Sequence, residues 1–343
     1  MSVRTHLCAL WWGLALTSGA FILVAQEDVA TLLARLVPYV TIEAARHGKV
    51  NWGEQVVQAD GYGPLAPDAG GRELVNARRI AITDARRNLA EMVAGVRVTA
   101  ETFVRNYMLE RDVVRTQVAA FLQGAAVVAE KPDREKGEYR VTLQVPLSGV
   151  RSLNEILLPV VSGPEETAST GGFRPAAAGG GEITGVIFDL RHLNRSPIGL
   201  PLPEGTEPCL YPQILDEGGE VVYGLKVADP EVVRLEGLVL YFRELVPPAQ
   251  TTPTLLLGWS VSVEAAEQTI SRAQRRVGRR PVVVRGLRAV KRTNIVISAQ
   301  DAARLRRANA ATGLLRRGRV LIIQDSAVGA VKGCVPFRWA AIL

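Results

Sequence analysis

The apolar positions change their period repeatedly along this chain, and each change marks a new element. In "NARRIAITDARRNLAEMVAGVRV" (76–98), Ala77, Ala81, Ala85, Leu89 and Met92 recur three or four apart, and Ile80 and Val93 widen the stripe. That spacing predicts an amphipathic helix lying on a sheet or on another helix. Its many alanines allow a close backbone approach, and Gly95 stops it. Arg79, Arg86 and Arg87 fall largely off the stripe and form either a solvated face or a contact surface. Upstream, "VNWGEQVVQADGYG" (50–63) reads as a strand. Downstream, 96–105 resumes strand character, and 109–123 returns to helical spacing through Val114, Val118, Phe121 and Leu122. "GAAVVAEKPDREKGEYRVTLQVPL" then reads as a hairpin whose second arm alternates at Tyr139, Val141, Leu143 and Val145 after a turn ending in Gly137. Residues 26–49 predict a helical lead-in that breaks at Pro38.

The stretch 162–181 has almost nothing to bury and reads as a Gly/Ala-rich linker. Beyond it, "ITGVIFDL" is a strand and "CLYPQILDEGGEVVYGLK" a hairpin. "DPEVVRLEGLVLYFREL" carries helical spacing, with Asp229 as a cap before Pro230. "LLLGWSVSV" reads as a strand, "EAAEQTISRAQRRVG" as a helix, and "PVVVRGLRAV" and "NIVIS" as two more strands. "AQDAARLRRANAATGLLRRG" is a helix with the buried strand "RVLIIQD" behind it. The expected class is α+β: two small domains, 50–161 and 182–325, each with helices packed on a mixed or antiparallel sheet, followed by a tail from 326 to 343.

The N-terminus adds an expectation about location. Arg4 precedes an apolar run, Leu7 to Ala25, which ends abruptly at Gln26, Glu27 and Asp28. That is the layout of a secretory signal over residues 1–25, cut after Ala25 or alternatively after Ser18-Gly19-Ala20. The run is also close to the ~20 residues that span a bilayer, so a retained anchor stays open. Once residues 1–25 are removed, the cysteines are Cys209 and Cys334, which form either a disulfide or two separate thiols. Lys and Arg outnumber Asp and Glu 41 to 34, a formal net charge of +7. For an exported chain, the matching anions are envelope lipids, polysaccharide or an acidic protein face. The densest cationic run, 272–292, holds Arg275, Arg276, Arg279 and Arg280. Strands within it that formed a sheet edge would offer those arginines to an acidic partner.

The first domain also resembles a known group. A strand ending in Gly, then "ARRIAITDARRNLAEMVAGVRV", "ERDVVRTQVAAFLQGAAVV" and an alternating strand, over about residues 50–150, resemble a domain found in two settings. One is the small bacterial outer-membrane lipoproteins of the twenty-kilodalton type; the other is the N-terminal domain of the flagellar accessory protein FlgT. "TGVIFDLR", "PQILDEGGEVVYG" and "ISAQDAARLR" are similar to an extension in longer exported members. The resemblance implies a periplasmic or outer-membrane-associated, non-enzymatic assembly component with no catalytic set to carry over. The chain departs from the group in its acylation cysteine: Cys8 lies too early and after the wrong residues.

The residues themselves offer no reaction centre. His47 and His192 are isolated, and no His/Cys group has zinc-ligand spacing. "GGGEITG" lacks the Gly-Lys-Ser/Thr end of a phosphate loop, and "GWS" lacks the nucleophile-elbow spacing. The expectation is therefore a non-enzymatic protein without cofactor, metal or small-molecule substrate. Its partners would be envelope proteins or further copies of itself, with peripheral outer-membrane contact. The alternative is an intracellular nucleic-acid-binding protein using Arg-rich helix faces.

Overall fold

The computed structural model describes residues 29–163, 183–194, 205–244, 271–325 and 331–332. The signal segment, the linker beyond Gly163, the 255–263 strand and the tail apart from 331–332 lie outside the described residues. The chain is α+β. Among the described residues no helix is long and apolar enough to cross a membrane.

The first unit is built on β4 (Val56–Pro64) and β6 (Glu138–Pro146), which pair antiparallel along their whole length. Both alternate between buried and half-exposed positions, as strands with one covered face must. The cover is α2 (Gly71–Ala94), whose buried residues are Ala77, Ala81, Ala85, Asn88, Leu89, Met92 and Val93. Opposite the alanines β4 carries Gly61 and Gly63, so helix and strand meet backbone to backbone. Asn88 donates to the Asp60 carbonyl (2.8 Å), and Asp84 accepts from the Tyr62 N–H (3.0 Å), which sets the helix register on the strand.

The expected strand over 96–105 is reduced to a single bridge, Arg97 with Phe103. A threonine-rich turn follows Val98, and the Asn106 side chain accepts from the Phe103 N–H, opening α3 (Val104–Glu110) instead. α4 (Asp112–Gln123) then buries Val114 and Val118. β5 (Ala126–Asp133) completes the expected hairpin as an edge strand, exposed along nearly its whole length, and Gly137 (φ 70°) serves the turn. α5 (Leu153–Ser162) closes the unit, capped by Ser152.

The lead-in is not the expected helix. Among the described residues of the lead-in, only α1 (Val29–Ala34) is α-helical; β1 (Leu36–Pro38), β2 (Val40–Glu43) and β3 (Gly48–Asn51) follow it, with a short 3-10 turn at Ala44–Arg46 between β2 and β3. Leu36, Val37, Tyr39 and the β-branched run after it find sheet partners, which outweighs weak helical spacing in so short a segment. Pro38, which lacks an N–H, sits on an edge strand, where that lack is tolerated.

The second unit has a five-stranded sheet and a small four-stranded one. The first contains β7 (Gly185–Asp189), β10 (Leu240–Glu244), β11 (Pro281–Arg285) and β14 (Val320–Ile323), all parallel, in the order β10-β14-β7-β11. The helix expected over 229–245 stops early. α6 (Pro230–Glu236) starts at its Asp229 cap and ends at Gly237 (φ 78°), and Leu240 onward is strand. Ile187, Leu240, Phe242, Leu321 and Ile323 pack on one face against Leu32 and Leu33 of α1 and against Ala273 and Val277 in the helical stretch 271–277. The opposite face joins the large core that includes Val233 of α6 together with Ala302 and Leu305 of α7 (Ala299–Thr312). The small sheet is β12 (Arg288–Val290), β13 (Asn294–Val296), β8 (Ile214–Leu215) and β9 (Val221–Tyr223), in that order.

The two units are interlocked. β1, from the start of the chain, pairs antiparallel with β10 and so completes the second unit's sheet. β15 (Val331–Lys332), from the far end, pairs with β2 and completes the first unit's six-stranded sheet. One core runs through the seam, with Trp52 set edge-on to Tyr241 at 5.8 Å. Asn154, 1 % exposed, accepts from Tyr211 Oη (3.0 Å) and donates to the Val233 carbonyl (3.0 Å). Gln55 donates across the seam to the Val239 carbonyl. Each unit therefore depends on the other for an edge strand and for the pairing of buried polar groups.

Candidate functional site

The seven arginines singled out by sequence separate into distinct groups. Arg79 and Arg86 stand exposed on the outer face of α2, with no ion pair among the described residues, beside the exposed Val75 and Ile80. Arg87, also exposed, pairs with Asp84 one turn back (2.8 Å). Arg275, Arg279 and Arg280 are exposed next to the starting ends of β11 and β7, where the Arg280 N–H donates to Thr184 Oγ1 (2.9 Å). Arg276 is different: it is buried and clamps backbone carbonyls, so it leaves the expected contact surface. In a helix, neighbours in sequence point about 100° apart, and only Arg276 points inward. The expected edge is half right. β11 pairs only with β7 among the described residues, but β12 belongs to the other sheet.

At the carboxyl ends of the parallel strands, where ligands commonly bind in such sheets, the polar groups are largely occupied with each other. Arg191 holds Asp189 through two nitrogens (3.0 and 2.8 Å). Burial opposes the Asp189 charge, yet the side-chain and backbone hydrogen bonds from Arg191 keep its carboxyl below the usual range. Burial and the nearby Arg285 guanidinium lower the His192 pKa. Asn194, fully buried, accepts from both the N–H and the hydroxyl of Thr206 and donates to the Asp325 carbonyl. These contacts tie loops together.

A cleft of about 450 Å³ opens at the seam, where the 99–101 loop of the first unit faces β9 and the β12–β13 turn of the second. The segment through Leu210 and Tyr211 hydrogen-bonds along Arg97 and Val98, fixing the two walls to each other (3.0 and 2.9 Å). Glu207 is shared between Arg97 (2.7 Å) and Arg292 (2.9 Å), bracing the same junction. Among the described residues three charged side chains line the cleft, Glu101, Lys226 and Lys291, beside the amides of Gln213 and Asn294 and an apolar part that includes Val161, Leu225 and Val290. Lys291 forms an ion pair with Glu101, and both side chains are more than half exposed.

The turn that carries Lys291 is strained. Lys291 (φ 50°) and Arg292 (φ 67°) both occupy left-handed backbone, a turn geometry that usually takes Asn-Gly. Such a conformation costs a non-glycine residue about 1–3 kcal/mol. Arg292 offsets this through Glu207 and the Gly205 carbonyl. An exposed pair such as Lys291–Glu101 contributes only about 0–1 kcal/mol, too little to account for the lysine on stability alone. Nothing in the linear sequence marks this cleft, because its partners lie up to 190 residues apart.

Cys209 is a free, fully buried thiol, and Cys334, its possible disulfide partner, lies outside the described residues. Burial pushes the Cys209 pKa up to about 12, and the thiolate is the reactive form. Iodoacetamide at pH 8 is therefore expected to leave Cys209 unmodified in the folded protein and to modify it fully in denaturant, read by peptide mass mapping. Among the described residues no group of His, Cys, Asp and Glu could hold a metal ion.

Residues 185–326 match the family described as the second domain of Treponema pallidum Tp0624. The match begins at the first residue of β7 and runs just past β14, less than half of the chain. It takes in the parallel strands, the small sheet and the turn at Lys291, and leaves out β1, which completes the larger sheet at its edge. No curated protein matches the chain.

Proposed function

We propose that the protein is a non-enzymatic, exported component of a periplasmic or outer-membrane assembly and works by binding an acidic partner surface. The observation that carries this is the outer face of α2. Arg79 and Arg86 stand there without ion pairs among the described residues, interleaved with exposed Val75 and Ile80. Arginine beside apolar side chains is the composition of protein interfaces, where a guanidinium meets carboxylates over an apolar floor. The resemblance of about residues 50–150 to outer-membrane lipoprotein and FlgT N-terminal domains, and the signal-like N-terminus, support the envelope setting and leave open a flagellar one.

The test is crosslinking in intact cells with a tagged chain, followed by mass spectrometry of its N-terminus and its partners. The expected result is a mature N-terminus near Gln26 with envelope proteins attached, and loss of those partners in the double variant R79E/R86E. Both side chains are exposed, so the variant keeps its fold. Recovery of an unprocessed chain with nucleic acid, or an unchanged partner set in the variant, overturns the reading.

A further inference from the structure

The outer face of α2 carries its free charge in a row. Arg72, Arg79 and Arg86 are all exposed, on the side of the helix away from the buried Ala81 and Ala85. They stand seven residues apart, so each lies about 10.5 Å along the axis from the next, with a sideways drift of only about 20°. The acids of the helix are engaged inside the protein. Glu73 accepts from the Gly70 N–H (2.6 Å), Asp84 holds the Tyr62 N–H and Arg87, and Glu91 lies 3.4 Å from Arg46. Arg78, on one flank, pairs with Glu130 (2.7 Å). Arg72, Arg79 and Arg86 are left with no ion pair among the described residues. Beside them a second row of smaller side chains, Asn76, Thr83 and Ala90, keeps the same seven-residue step, and Val75 and Ile80 stand exposed on either side.

We infer, resting on the reading of α2's outer face as the contact surface, that the acidic partner presents an α-helix laid along α2, with a carboxylate every seven residues. The partner helix repeats its own heptad row at the same step of about 10.5 Å, so three guanidinium–carboxylate pairs form in a single register. Same-face residues of a strand fall about 6.6 or 13 Å apart and miss that register. The smaller side chains of the second row let the partner's backbone come close, and Val75 and Ile80 meet apolar residues on its flanks. A second copy of α2 would set the arginine row against itself, so this face does not dock on its own kind. An anionic bilayer attracts cations whatever their spacing and gains nothing from a row of small side chains in step with them.

Two alanine-based helical peptides of about 20 residues, labelled for fluorescence anisotropy and added to the full chain at low salt, test the spacing. Both carry the same glutamates and leucines. One sets the glutamates seven apart along one face, and the other sets them five apart, which spreads them round the helix. The seven-spaced peptide is expected to bind at least tenfold more tightly. The variant R79A/T83R keeps the net charge and the exposed face but moves one guanidinium out of the row, and it is expected to weaken that peptide about tenfold. R79E/R86E is expected to abolish binding. The exchanged side chains are all exposed, so the thermal midpoints stay at that of the parent. Equal binding of the two peptides, binding of neither, or full affinity in R79A/T83R overturns the partner helix. The broader reading of an acidic partner survives those results if R79E/R86E still loses its crosslinked partners in cells, and falls by itself if those partners stay. Stronger binding to anionic than to neutral vesicles, equal in the parent and R79A/T83R and lost in R79E/R86E, overturns the helix in favour of a bilayer.

Discussion

Replacing Gly61 with valine is expected to unfold the protein or to lower its stability by about 3 kcal/mol or more. A Cβ at Gly61 would stand 2.6 Å from Ala85 Cα and still closer to the Ala85 nitrogen and the Ala81 carbonyl oxygen. The obstacles are helix backbone, which cannot rotate aside as a side-chain tip can. Two strand positions further on, a Cβ at Gly63 would meet the Ala77 backbone in the same way. To admit valine, α2 must lift off β4, and Leu89, Met92 and Val93 would lose their packing with it. Overpacking an ordinary core costs about 1–3 kcal/mol; moving a 24-residue helix is worse. At about 2.1 cal/mol/K of unfolding entropy per residue, a chain of 343 residues loses about 1.4 °C per kcal/mol, so the thermal midpoint falls by roughly 4 °C or more. Gly71→Ala is the control. It opens the same helix with nothing within 4 Å of an added Cβ and is expected to be neutral or slightly stabilising. A G61V midpoint equal to that of the parent would show that α2 does not ride on the glycines.

The alanine stripe shows what could be read in advance. Its period is local, so six of the seven buried positions of α2 follow from side-chain size and spacing within one segment; the exceptions are Asn88, buried by its bond to the Asp60 carbonyl, and Ile80, which the stripe included but which is exposed. The hairpin of β5 and β6 was legible for the same reason. The lead-in was not. Leu36 pairs with Glu244 more than 200 residues away, and no window of a dozen residues contains that partner. The stretch after Gly237 has apolar residues at both helical and strand spacing, and the parallel register of Tyr241 with Ile322 decides between them. At the candidate sites the limit was direction. A run of arginines does not say which one points inward, and the cleft at Lys291 exists only once two distant segments meet.

The inward arginine is the second position where a large effect is expected. Arg276, 6 % exposed, donates to the carbonyls of Gly237 (2.6 Å) and Leu238 (2.8 Å) and to the Glu236 carboxylate (2.9 Å). It thereby fastens the helical stretch on one face of the parallel sheet to the turn that launches β10 on the other. Burial lowers its pKa, but it is partly compensated by Tyr223 and Glu236, so the guanidinium is held as a charged clamp. Arg276→Ala removes all of these bonds. Leu238 keeps the Tyr223 hydroxyl (2.8 Å), whereas the Gly237 carbonyl loses its charged donor and the stem of the side chain leaves a void. Hydrogen bonds to a charged group contribute about 1.5–3 kcal/mol each, and Glu236 is exposed enough to turn to water. A net loss of about 3 kcal/mol is expected in urea denaturation. Arg275→Ala and Arg279→Ala, on the exposed side of the same run, are expected to stay within about 0.5 kcal/mol of the parent. Because β1 and β15 are exchanged between the units and one core runs through the seam, R276A should shift the whole unfolding transition rather than split it. A separate early transition confined to the second unit would show that the exchanged strands do not couple the two, and an R276A midpoint equal to that of R275A would remove the clamp.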